Sequence, residues 1–84
     1  MGDDKLPLIV EELAQIEADG AIPKNVRTHI KNAIYALQKK EDQVEVKIDR
    51  ALAELGDADE DPNISQYTRT KIWGVVSALE SKNK

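Results

Sequence analysis

Asp57, Asp59 and Asp61 place carboxylates at alternate positions, the spacing that opens a calcium-binding loop. Such a loop also needs glycine at its sixth position and a bidentate Glu at its twelfth, where this chain has Pro62 and Thr68. The stretch Asp57–Asn63 therefore reads as a solvated acidic loop whose last carboxylates favour the N-terminus of the following helix. His29 is the single histidine and the chain has no cysteine, so a metal would lack a second imidazole or thiolate ligand. Catalysis at His29 would require a nearby nucleophile or an orienting carboxylate; it falls beside the core stripe of its helix, which favours a plain surface role. Adjacent carboxylates such as Glu11 and Glu12 fit a solvated helix face. With no triad, metal cluster or phosphate loop, the expectation is a non-enzymatic protein that uses no metal and no cofactor.

Four other residues carry binding chemistry. Arg27 and Arg69 lie at the edges of apolar stripes, beside Val26 and Thr68. The favoured expectation is a structural pair with Asp19, Asp61 or a helix C-terminus. The alternative is anion capture through the bidentate guanidinium fork. Trp73 falls outside its helix's apolar arc one turn after Arg69, where the two can stack as a cation–π pair. It either covers an edge of the core or anchors a partner, since Trp beside Arg is frequent hot-spot chemistry. Gly74 interrupts a helix at a cost of about 1 kcal/mol against Ala. With Thr70, Ser77, Ala78 and Ser81 it forms a row of small residues that permits close approach by another helix; the alternative is a surface glycine that is merely tolerated.

The elements that position these residues follow from an internal repeat, the first thing to establish in a helical sequence. Displaced by 42 residues, the chain matches Glu12 and Leu13 with Glu54 and Leu55, and Asp19 and Ile22 with Asp61 and Ile64. The same offset matches Arg27, Thr28 and Ile30 with Arg69, Thr70 and Ile72, and Ala36 and Leu37 with Ala78 and Leu79. Lys5 and Lys47, and Lys40 and Lys82, extend the match. Trp73 breaks it, because its counterpart is Lys31; His29 corresponds to Lys71.

Apolar residues at helical spacing predict four helices. The first runs from about Lys5 to Ala18, led by Asp3 and Asp4, with a stripe of Leu6, Ile9, Val10, Leu13 and Ile16, and ends at Asp19-Gly20. The second opens at Pro23, preset for the first helical position, and carries Val26, Ile30, Ala33, Ile34 and Leu37. Asp42-x-x-Glu45 resembles a capping box for the third, whose stripe of Val44, Ile48, Ala51, Leu52 and Leu55 closes at Gly56. Ser65 caps the fourth, with Thr68, Ile72, Val75, Val76 and Leu79. Leu8, Tyr35 and Val46 project away from their stripes. The expected architecture is all-α, an antiparallel four-helix bundle of two pseudo-symmetric hairpins spanning about 3–40 and 42–82 of one domain, residues 1–84.

Twelve Lys and Arg against 16 Asp and Glu leave a net charge of −4, which disfavours general nucleic-acid binding. A chain of 84 residues holds one thin core rather than a deep substrate cavity. The start Met-Gly-Asp-Asp has neither the basic nor the apolar region of a secretory signal, and no apolar run is long enough for a membrane span. A cytoplasmic location is expected.

The series Leu6-Pro-Leu-Ile-Val-Glu-Glu-Leu13, then Asp19, Pro23, Asn25-Val26-Arg27, Ala33 and Ala36-Leu37, resembles a HEAT repeat. The resemblance implies hydrogen bonds between adjacent repeats by Asp19 and Arg27, and by Asp61 and Arg69. Stacked solenoids need about three or more repeats, so two copies would close into a bundle or complete the stack by dimerising. A longer resemblance covers nearly the whole chain. Ile22-Pro-Lys-Asn-Val-Arg27, Asp61-Pro-Asn63 and Thr68-Arg-Thr-x-Ile-Trp73 are similar to a small archaeal uncharacterised family, UPF0147. This resemblance implies a short four-helix protein of an archaeal cytoplasm and supplies no activity.

Two functional expectations follow. The first is a protein-interaction or adaptor module contacting a protein partner or itself through Tyr67, Arg69, Trp73 and Gly74, where the two halves differ most. The second is an RNA- or ribonucleoprotein-associated factor using Lys24, Arg27, Lys31, Arg69 and Lys71 as a local basic face.

Overall fold

Each stretch of the chain has enough apolar residues to cover one face of a helix, and the structure pools those faces in a single core. The computed structural model describes residues 6–82, except the side chain of Lys82; the expected lead-in of Asp3, Asp4 and Lys5 lies outside them. The elements are α1 (Leu6–Glu17), α2 (Lys24–Gln38), α3 (Val44–Asp59) and α4 (Gln66–Lys82). Among the described residues there is no strand. Short connections at 18–23, 39–43 and 60–65 reverse the chain each time. The helices pack in a ring, α1 on α2, α2 on α3, α3 on α4 and α4 back on α1. The α2–α3 contact is the most extensive of the four. The hairpins thus close on each other as a four-helix bundle.

The buried set follows the stripes and recurs at the 42-residue offset. Leu6 and Ile48, Ile9 and Ala51, Leu13 and Leu55, and Ile16 and Ala58 are buried on α1 and α3. Val26 and Thr68, Ile30 and Ile72, Ala33 and Val75, and Leu37 and Leu79 are buried on α2 and α4. Val10, Val44, Leu52 and Val76 are partly buried against this core.

The turns recur as well. Asp19 Oδ1 accepts the Ala21 amide at 2.9 Å, and Asp61 Oδ1 accepts the Asn63 amide at 2.8 Å. In each turn the Asp carbonyl also accepts an Ile amide, from Ile22 and Ile64 respectively, at 3.3 Å. This is the Asx turn, in which a carboxylate substitutes for backbone acceptors. Buried Ile22 and Ile64 then seal the loops onto the core.

Ser65 caps α4 as expected: its Oγ accepts the Thr68 amide at 3.1 Å and its hydroxyl donates to Thr68 Oγ1 at 3.0 Å. Three local expectations require correction. Pro23 is the N-cap residue of α2 rather than its first helical residue; its carbonyl accepts the Arg27 amide. Asp42 does not cap α3. Gln43 holds that position without a side-chain hydrogen bond, and Asp42 Oδ2 is buried without a partner. Finally, α3 does not stop at Gly56 but continues to Asp59, because the added turn buries Ala58 while Gly56 faces solvent. The acidic segment is therefore half helix, and the loop is confined to 60–65.

Leu13 and Leu55 are fully buried at equivalent positions. Truncation of either to Ala is expected to cost about 2–5 kcal/mol, a large share of the roughly 5–15 kcal/mol available to a domain. Urea denaturation of Leu13→Ala and Leu55→Ala checks this; a loss below about 1 kcal/mol in either would contradict the shared core.

Candidate functional site

Arg69 and its surroundings are built from the end of α3. Its Nη2 donates to the Asp59 carbonyl at 3.3 Å, and its Nε faces Asp59 Oδ1 at 3.2 Å. The latter contact is out of line for a hydrogen bond, and both atoms are buried without another partner, so it is an ion pair. The guanidinium also neutralises the carbonyl end of α3, where a cation is favoured. Arg27 does comparable work in the first half, donating from Nη2 to the Asp19 carbonyl at 3.2 Å. Both arginines are tied within their own hairpins, in contrast to the links between repeats implied by the HEAT resemblance.

This arrangement corrects the expected stack of Arg69 on Trp73. Arg69 is engaged by Asp59 instead, and the cation–π contact places Lys71 Nζ 4.9 Å from the Tyr67 ring centroid. Trp73 is left 50% exposed and Tyr67 66% exposed. Gly74 is exposed, and a Cβ added there would meet nothing within 4 Å. Thr70, Ser77 and Ser81 share its exposure, whereas Ala78 packs partly against the core. Leu8, Tyr35 and Val46 are exposed on α1, α2 and α3 respectively.

The five expected basic residues are not brought onto one face. Lys31 lies 3.9 Å from Glu17 of α1, and Arg27 is held at the end of the same helix. Arg69 is held by α3 and Lys71 by Tyr67 of α4, while exposed Lys24 opens α2. Since α2 and α4 each pack on α1 and α3, they occupy opposite corners of the ring.

Sequence reasoning missed a polar seam between α2 and α3. His29 Nδ1 lies 2.9 Å from Glu54 Oε1, and Asn32 Nδ2 donates to the same oxygen at 3.4 Å. His29 therefore has the orienting carboxylate that its sequence neighbours lack. One turn further along the seam an open cleft of about 510 Å³ is lined by Asn32, Tyr35, Ala36, Lys39, Arg50, Ala53 and Glu54. A second, more apolar cleft of about 570 Å³ lies between Leu6, Pro7 and Val10 of α1, Leu37 and Gln38 of α2, Lys40 and Lys47. Among the described residues no group of three His, Cys, Asp or Glu is gathered as a metal site, and no helix is long and apolar enough to cross a membrane.

With this geometry in hand, the chain can be set beside known proteins. The model of an uncharacterised protein family, UPF0147, matches residues 2–81. The chain belongs to that family. A UPF0147 protein of Pyrococcus furiosus is 40% identical over 79 residues, covering 93% of this chain and 85% of the relative. One from Aeropyrum pernix is 32% identical over 79 residues, with 94% and 87% covered. The same fold occurs in the crystal structure of the unknown-function protein MMP1188, with a TM-score of 0.90 and 42% identity over 93% of this chain and 89% of that one. The family model thus gives the family, and the crystal structure the fold.

The Arg69–Asp59 pair is shorter and more buried than Lys31–Glu17, with each of its side chains 31% exposed. Asp59→Ala leaves Arg69 Nε buried without a counter-charge and is expected to cost about 1–3 kcal/mol. Lys31→Ala removes a longer, more exposed pair and should cost at most about 1 kcal/mol. Thermal denaturation of both variants ranks them; equal losses would contradict a structural role for Arg69.

Proposed function

We propose that this protein is a small non-enzymatic interaction module of the archaeal cytoplasm that docks onto a protein partner, or onto a second copy of itself, through the outer surface of α4. The observation that carries this reading is the exposed Trp73. It is a large aromatic at 50% exposure on a helix whose buried stripe is already complete without it. Engagement of Arg69 by Asp59 leaves no cation from that residue over the indole, so the ring is available to fill a pocket on another chain. Tyr67 adds a second amphipathic ring, and Gly74 offers bare backbone against which another helix can pack closely.

The test separates docking from folding. Trp73→Ala is expected to leave the bundle folded, with a loss well below the roughly 3–5 kcal/mol of a buried aromatic. It should abolish self-association in sedimentation velocity, or the capture of one reproducible protein partner from host lysate. Gly74→Ala should stabilise the isolated protein by about 0.5–1 kcal/mol, since it adds helix propensity in open space, while Gly74→Leu should weaken docking. A large stability loss in Trp73→Ala with unchanged association would show that the ring serves the core and would overturn the proposal.

A further inference from the structure

The seam between α2 and α3 has a chemical polarity that neither the core nor the α4 surface requires. Lys39, in the turn that ends α2, and Arg50, in the first half of α3 and one helical turn before Glu54, line one cleft. Antiparallel packing sets Asn32 beside Glu54 in the same cleft, as their 3.4 Å contact records. Lys39 lies seven residues beyond Asn32, about 10 Å along a helix rising 1.5 Å per residue. Only the methyl groups of Ala36 and Ala53 line the space between, and Tyr35 contributes a ring that is 63% exposed. Among the described residues, Lys39 and Arg50 are in no ion pair. Glu54, by contrast, is held in place through one oxygen by His29 and Asn32, leaving the other oxygen outside these two contacts.

We propose that this cleft binds a 5′-nucleotide. Arg50 and Lys39 take the phosphate, Arg50 through its fork. Tyr35 stacks on the base, a contact that tolerates any base, and Glu54 with Asn32 meets the base edge. The second oxygen of Glu54 and the amide oxygen of Asn32 are acceptors, which select an edge with N–H donors, and guanine, which presents two neighbouring donors there, suits them best. A bare inorganic anion would leave the aromatic wall unused. An apolar ligand would strand two cations. A cleft of about 510 Å³ is within the usual range for small-molecule sites. The same nucleotide chemistry arises from a free mononucleotide or from one residue of a single strand.

Amide chemical shifts of the 15N-labelled full chain, titrated with guanosine monophosphate, guanosine, inorganic phosphate and a guanine-containing RNA tetranucleotide, test the assignment. Guanosine monophosphate should give saturable shifts confined to α2 and α3, with guanosine and phosphate each at least about tenfold weaker. Arg50→Ala should weaken binding by about 10–150-fold and Tyr35→Ala by about 5–150-fold. Both side chains are exposed, so the fold should survive their removal. Glu54→Gln should remove the preference for guanosine over uridine monophosphate. Tighter binding of the tetranucleotide would assign the site to a strand, and equal or weaker binding to the free nucleotide. Absence of shifts along the seam, phosphate binding as tightly as the nucleotide, or indifference to both Arg50→Ala and Tyr35→Ala would overturn the proposal.

Discussion

The contact between α2 and α3 is the constraint on which the rest of the structure depends. It is the most extensive helix–helix contact, and the larger of the two that join the first hairpin to the second. The connection at 39–43 contributes little to it: Gln43 provides no side-chain cap and Asp42 Oδ2 has no partner. What holds the two halves in register is packing of Ile30, Ala33, Leu37, Ile48, Ala51 and Leu55, all essentially buried, supplemented by the His29–Glu54 contact. Burying a side chain such as Leu or Ile contributes about 1.5–3 kcal/mol, whereas a partly exposed polar contact contributes about 1 kcal/mol or less. Apolar packing therefore determines how the hairpins meet, and the polar seam refines it.

A thin core also determines where function can reside. With one stripe per helix spent on the interior, the remaining chemistry lies on outer faces and in the open seams between neighbouring helices. The α4 surface and the α2–α3 cleft are such places, and they differ in kind. The first offers exposed rings and bare backbone, matter for a macromolecular contact. The second offers separated charges around a methyl floor, matter for a small polar ligand.

Much of this was legible in the sequence because helical amphipathicity is a local signal. The stripes from Leu6 to Leu79 became the core almost residue for residue, and Ser65 became a cap because its hydroxyl needs only the next turn. The 42-residue recurrence of Asp, Ile and Arg is seen again in the two Asx turns. The misreadings involve choices between neighbours. Gly56 looked like a terminus, yet the burial of Ala58 outweighed the modest cost of an interior glycine. Asp42 and Glu45 matched a capping box, but the first helical residue was Val44, which put the spacing out of register. Arg69 had both Trp73 and a carboxylate within reach, and one more turn of α3 delivered Asp59. The pair of His29 with Glu54 was beyond sequence reading, because the residues are 25 apart and their meeting depends on the register of two packed helices.

Native-state hydrogen exchange addresses the central claim, that α2 and α3 form the rigid middle on which α1 and α4 rest. Amides in the centres of α2 and α3 are expected to exchange only through global unfolding and to share one free energy, close to that from denaturation. Amides of α4, whose contacts with its two neighbours are much less extensive, are expected to open at lower free energy. If α4 and α1 instead retained the greatest protection while the α2–α3 amides exchanged first, the account of how this bundle is held together would be wrong.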